Sequence, residues 1–252
     1  MNCWICGAEA DSREHLFKKS DLRRYFGRFD QHAPIYMHGA DAASVPIKGP
    51  DANAVKLPAR LCKRCNSAGS ARYDIAWERF SEYVDEVAKH YVGYPPARIN
   101  LRRALKPEEL LQAGSASLQL YVVKHGGSII AVNRPEHPLL RSFAAHFKSG
   151  VPHPDVYVAV RWIIEHPTQV VAQITRIEAF EDEAGAVGYM TWAYRLNRAV
   201  IQVYYCPDRR KIVPPVWHPR DTTRFIAVVP GRSVSEGMTH FRKVAPSTPE
   251  QL

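Results

Sequence analysis

Cys3-Trp4-Ile5-Cys6-Gly7 and Leu61-Cys62-Lys63-Arg64-Cys65-Asn66 are the two strings on which the fold of this chain turns. A Cys-x-x-Cys turn presents two thiolates on one face, and two such turns complete a tetrahedral zinc site. Four of the five cysteines fall in these pairs. That usage points to metal binding in a reducing compartment and away from a disulfide framework. Gly7 permits the tight turn that a knuckle needs. With Cys3, Cys6, Cys62 and Cys65 all engaged the site is closed, so its Zn2+ is structural. Cys206, followed by Pro207, reads as a buried strand residue.

The long stretch between the pairs must carry something. It holds Glu14-His15, then FKKSDLRRYFGRF over 17–29, where Lys18, Lys19, Arg23, Arg24 and Arg28 are interleaved with Tyr25, Phe26 and Phe29. Ser20 is the expected cap of a short helix there. Residues 30–56 lack periodicity and read as a loop or two weak strands. A strand over 57–66 is expected to enter the second pair. From Ala71 to Tyr91 the pattern is helical, with Ile75, Phe80, Tyr83, Val84 and Val87 on one stripe. Gly93-Tyr94-Pro95-Pro96 stops it, and a linker helix is expected over 107–112.

Phosphodiester cleavage needs a base for water and a cation for the phosphate. Carboxylates suit a hard Mg2+ or Mn2+ ion. Glu14 and Asp74 can hold such an ion while His15 activates water. Asn66 can accept from His15 or hold the loop that carries it. Each residue also has a plain structural use: Asn66 as a left-handed turn, Asp74 as a helix cap. Their spacing from both cysteine pairs is what joins them into one set.

The pattern Cys-x2-Cys-Gly-x6-Glu-His, then Leu-Cys-x2-Cys-Asn-x7-Asp, resembles the HNH endonuclease superfamily in its zinc-stabilised, Glu-His branch. The resemblance covers about residues 1–90. It implies a treble-clef ββα-metal finger, with zinc on the four cysteines. It also implies His15 as general base, Glu14 and Asp74 as ligands of the catalytic ion, and Asn66 as the residue orienting the histidine loop. The chain departs from many relatives at Leu16-Phe17-Lys18-Lys19, where they place a proline. The final position is Asp74 and not a histidine. The basic stretch, with Lys63 and Arg64 inside the second pair, would contact the backbone of double-stranded DNA. The alternative is a catalytically inactive zinc module that binds nucleic acid or a protein.

Beyond residue 100 the reading rests on strand signals. Leu118–Lys124 and Ser128–Asn133 flank His125-Gly126-Gly127 and read as a hairpin. A helix over 138–147 and strands over 156–165, 170–180, 188–194 and 199–205 follow. Trp162, Trp192 and Trp217 read as core. The expected fold is α+β: a nuclease domain over 1–95, then a strand-rich antiparallel α+β domain over 115–245 open to a protein partner or self-association. The frayed tail is expected after Ala245.

Bulk properties agree with a nucleic-acid partner. The 252 residues carry a net charge of +9, which favours polyanions. The basic residues are spread over both halves, so only the 18–28 cluster marks a site. The chain has no apolar run long enough to span a bilayer. Its N-terminal residues show no signal-peptide core. A soluble, cytoplasmic protein is expected.

Overall fold

Residues 71–90 read as an amphipathic helix and form one. A computed structural model of the chain describes residues 1–38, 44–91, 94–105, 111–164, 172–181, 187–221, 223–231 and 238–242. Its architecture is mixed α+β, with a four-cysteine cluster near the N-terminus. The helices are α1 (Lys19–Phe26), α2 (Lys63–Asn66), α3 (Ala71–His90), α4 (Leu101–Ala104), α5 (Leu111–Asn133) and α6 (Leu139–Ser149). The buried stripe of α3 is Tyr73, Trp77, Phe80, Val84 and Ala88, which shares Phe80 and Val84 with the one expected. Ile75 is exposed, and Tyr83 and Val87 are half-buried.

The expected hairpin at 118–133 is instead the greater part of α5, running to its C-terminal end. Every residue from Ser117 to Ala131 is buried. A helix enclosed on all sides carries no amphipathic stripe, so periodicity is silent about it. Gly126 and Gly127 serve close packing and not a turn. A methyl group on Gly126 would stand 2.5 Å from the Trp192 ring, and one on Gly127 2.5 Å from the Trp4 ring. Trp4 also donates from Nε1 to Ser128 Oγ at 3.2 Å. The helix therefore clamps the first cysteine turn from one side and the sheet from the other.

The strands are β1 (Ile35–His38), β2 (Val45–Ile47), β3 (Arg98–Asn100), β4 (Val156–Ile163), β5 (Ala172–Thr175), β6 (Glu178–Glu181), β7 (Val187–Leu196), β8 (Ala199–Tyr205), β9 (Phe225–Gly231) and β10 (Met238–Arg242). They form one sheet in the order β2-β1-β10-β5-β7-β8-β4-β9-β3, with β6 on β7. Pairing is antiparallel except between β4 and β9. β7 and β8 close through Asn197, whose φ of 58° suits asparagine in a tight turn. Trp162, Trp192 and Trp217 are all core. Strands β1 and β2 lie between the cysteine pairs in sequence, yet β1 joins the sheet by pairing with β10. β3 joins by pairing with β9. The sheet thus runs across the expected boundary at 95–115.

Smaller corrections follow from local hydrogen bonding. Residues 57–62 form only an isolated bridge, Ser12 to Leu61, and 63–66 are helical because Cys62 caps α2. Ser20 lies inside α1, whose N-cap position is Lys18. The expected strand over 170–180 is β5 and β6, two short strands. Of the linker helix over 107–112, residues 107–110 lie outside the described residues, as does the tail after Ala245. Among the described residues, no helix is long and apolar enough to cross a membrane.

Candidate metal centre and candidate active site

The two cysteine turns meet through backbone bonds. Gly7 N donates to Cys3 O at 2.8 Å, with Gly7 at φ 78°. Trp4 N donates to Arg60 O at 3.0 Å, and Ser12 N to Leu61 O at 2.9 Å. The four sulfurs then lie within 4.8 Å of one another, with Cys6 Sγ and Cys62 Sγ 3.6 Å apart. A zinc tetrahedron with Zn–S bonds of about 2.3 Å has sulfur edges of about 3.8 Å. The cluster therefore fits a structural zinc ion. The Ala8 backbone N–H draws the exposed Cys6 thiol down to about 7. Burial pushes Cys3 and Cys65 up.

Directly after the first turn the chain runs beside residues 55–57. Leu57 N donates to Glu14 O and Leu16 N to Val55 O, both at 2.8 Å. Asn66, at the end of α2, donates from Nδ2 to Ser12 Oγ at 3.0 Å and to Arg13 O at 3.2 Å. Of the two uses open to it, Asn66 takes the second: it grips the chain that leads into Glu14-His15. Asp74 sits in the first turn of α3 and accepts from Ser70 Oγ at 2.6 Å. It is not the cap; Ser70 holds that position.

Glu14, His15, Asn66 and Asp74 all line one pocket of about 370 Å³. Helix α1 and the residue before it add Lys18, Lys19, Ser20 and Arg23, α3 adds Glu78, and α5 adds Lys124. Arg23 also lines a neighbouring pocket of about 390 Å³ with Arg28, Phe29 and Pro50. Arg24 turns inward, donating to buried Asp21 at 2.6 Å and to Ser81 Oγ at 3.1 Å. It is a core counter-ion and not a surface contact. Lys63 and Arg64 are exposed on α2 and line neither pocket.

His15 is held below the ordinary histidine value of 6.5, first by burial and then by the Lys56 ammonium, against Glu14 and Asp51. Its imidazole is therefore neutral at pH 7. Nε2 is buried without a hydrogen-bond partner, 3.7 Å from Asp51 Oδ1. Asp51 is itself paired with Lys19. The backbone of His15 is fixed from below: His125 Nε2 lies 3.1 Å from both His15 O and Leu16 O. With Nε2 donating, His125 Nδ1 accepts from the buried Tyr194 hydroxyl.

The two carboxylates expected to hold a divalent ion are bracketed by ammonium groups. Lys124 Nζ stands 3.0 Å from Glu14 Oε2, an ion pair without a well-aimed hydrogen bond. It also lies 3.3 Å from Asp74 Oδ1. Lys18 Nζ takes the same Asp74 oxygen at 2.9 Å. Burial alone would raise Asp74, but Lys124, Lys18 and the Ser70 hydroxyl hold it below the usual carboxylate value. Burial likewise opposes charge on Lys124, and Glu14 and Asp74 overcome it, so its ammonium stays charged. Among the described residues, the four cysteines alone form a cluster of three or more such ligands. Glu14 and Asp74 as arranged do not fit a divalent ion, because the Lys124 ammonium already lies against both.

Lys124, Asp51 and Glu78 were not foreseen. Lys124 left one signal: it is the one Lys, Arg, Asp or Glu in Leu118–Val132, a mostly apolar run. A charge there must meet an acid from elsewhere in the chain. Comparisons with protein-family models, curated proteins and solved structures find no match.

Proposed function

We propose that the chain is a nucleic-acid phosphodiesterase of HNH type, acting on DNA, with His15 as general base. What supports this reading is one convergence. Glu14, His15, Asn66 and Asp74, drawn from segments far apart in sequence, line one pocket with three cationic side chains of the basic stretch.

The chemistry follows from the residue states. Neutral His15 takes a proton from water in the pocket. The hydroxide so formed adds to phosphorus, and the bond to the leaving sugar oxygen breaks, that oxygen taking a proton from solvent. Lys19 and Arg23 neutralise the phosphate, and Arg23 and Arg28 lead the strand toward the adjoining pocket. Asn66 keeps the histidine loop in place. No step is routed through a second metal ion, since Glu14 and Asp74 do not fit one. The zinc ion supplies only structure.

The test is cleavage of plasmid DNA, single-stranded DNA and RNA by wild type and His15→Ala. The expected result is DNA cleavage that drops about 10²–10⁴-fold in the variant, the range for losing a general base. Equal cleavage by both, or none by either on any substrate, ends the nuclease reading. A second reading, a module that binds nucleic acid without cutting it, draws on the ion pairs that neutralise both acids. It predicts salt-dependent binding with no product.

A further inference from the structure

The pocket's one fully buried cation comes from outside the cysteine-bearing segment. Lys124 lies in the middle of α5, and its side chain is 1% exposed. Its ammonium faces four groups and no others among the described contacts: Glu14 at 3.0 Å, Asp74 at 3.3 Å, Ser70 Oγ at 3.5 Å, and the Tyr121 ring at 5.7 Å. An unpaired ammonium at such depth costs several kcal/mol, so a lysine is kept here only against carboxylates that stay ionised. Glu14 is equally enclosed, at 8% exposure. Each charge is thus the reason the other can be buried.

A divalent ion bound to Glu14 and Asp74 would need oxygens at about 2.0–2.6 Å. It would have to occupy the volume that Lys124 Nζ fills. We infer that Lys124 is a built-in counter-ion that stands where a catalytic divalent cation would sit, so that Glu14 and Asp74 position the site without one. It is a positioning residue. It reaches the candidate base through the next residue, since His125 holds the His15 carbonyl. The inference rests on the proposed nuclease reading for its meaning, but not for its test.

The test uses the zinc-loaded full chain and Mn2+ as probe, with bound ion counted by paramagnetic resonance. Wild type should take up no Mn2+ at this site. Lys124→Ala should gain one Mn2+ per chain, and adding Asp74→Ala should abolish that gain. Lys124→Arg, which keeps the cation, should bind none. Lys124→Met, which keeps the apolar stem but vacates the ammonium position, should likewise gain Mn2+ and stands in if the alanine variant does not fold. Uptake of one Mn2+ by wild type that Glu14→Gln or Asp74→Ala removes overturns the inference, whether or not any Lys124 variant folds. Cleavage separates the two claims. DNA cleavage by wild type that Mn2+ raises tenfold or more keeps the nuclease and overturns the counter-ion. The expected Mn2+ pattern with no cleavage by any variant keeps the counter-ion and ends the nuclease reading.

Discussion

The four-cysteine centre and the acid–lysine pocket lie side by side and are built on opposite terms. The cysteine centre takes its ligands from two local turns, and backbone bonds such as Trp4 N to Arg60 O bring the turns together. Its charge is to be balanced by an ion from solution. The pocket takes Glu14, Asp74 and Lys124 from three distant places, and its charge is balanced from within the chain. The first kind of site depends on metal supply. The second depends on the fold that carries the lysine.

Removing the ion from the cysteine centre is the harshest way to sharpen that contrast. Structural zinc contributes about 10–16 kcal/mol in small fingers. Stripping it with a strong chelator should abolish the cooperative thermal transition of the N-terminal segment, read by circular dichroism with metal counted by mass spectrometry. An unchanged melting curve in metal-free protein would show that the fold holds the turns unaided.

A smaller effect is expected on the pocket side. Glu14→Gln leaves the Lys124 ammonium buried with Asp74 alone, which Lys18 already shares. Breaking a buried pair costs about 3–5 kcal/mol, measurable by urea denaturation. A loss under about 1 kcal/mol, the value of an exposed pair, would mean that water reaches Lys124.

The mildest effect is pH dependence. The folded value of His15 lies below 6.5, so the neutral base predominates above that pH. DNA cleavage should be level at and above pH 7 and fall only on the acid side of 6.5. The stability that comes from keeping His15 neutral has the same sign. It is complete above 6.5 and lost as pH drops through the lowered folded value. A rate that climbs between pH 7 and 8 would assign the base to another group.

Legibility followed the same divide. The cysteine cluster was plain from Cys3, Cys6, Cys62 and Cys65, because ligand pairs announce themselves by spacing. The meeting of Glu14, His15, Asn66 and Asp74 in one pocket was also expected, since each stands at a set distance from a cysteine turn. Helix α3 is legible with Phe80 and Val84 on its buried face, but the face is rotated from the expected one, because Tyr73 and Trp77 bury deeper than Ile75. Helix α5 is not legible in the sequence. Gly126-Gly127 mimics a turn, and full burial erases the helical period. Missing α5 hid Lys124 and His125, and with them the floor of the pocket. Arg24 pairs with Asp21 three residues before it; spacing allows that pair, but not the burial of the acid among Trp77 and Ser81 that turns Arg24 inward.

The seating of Gly126 on Trp192 and Gly127 on Trp4 bears on how this protein can be dissected. A fragment ending near residue 95 would retain all four cysteines and all four candidate catalytic side chains. It would lack the helix on which Trp4 rests, the ammonium against Glu14 and Asp74, and the imidazole under His15. The cysteine-bearing segment is therefore not a free-standing cartridge: α5 props it at three points, and an insertion that displaces α5 removes all three supports at once.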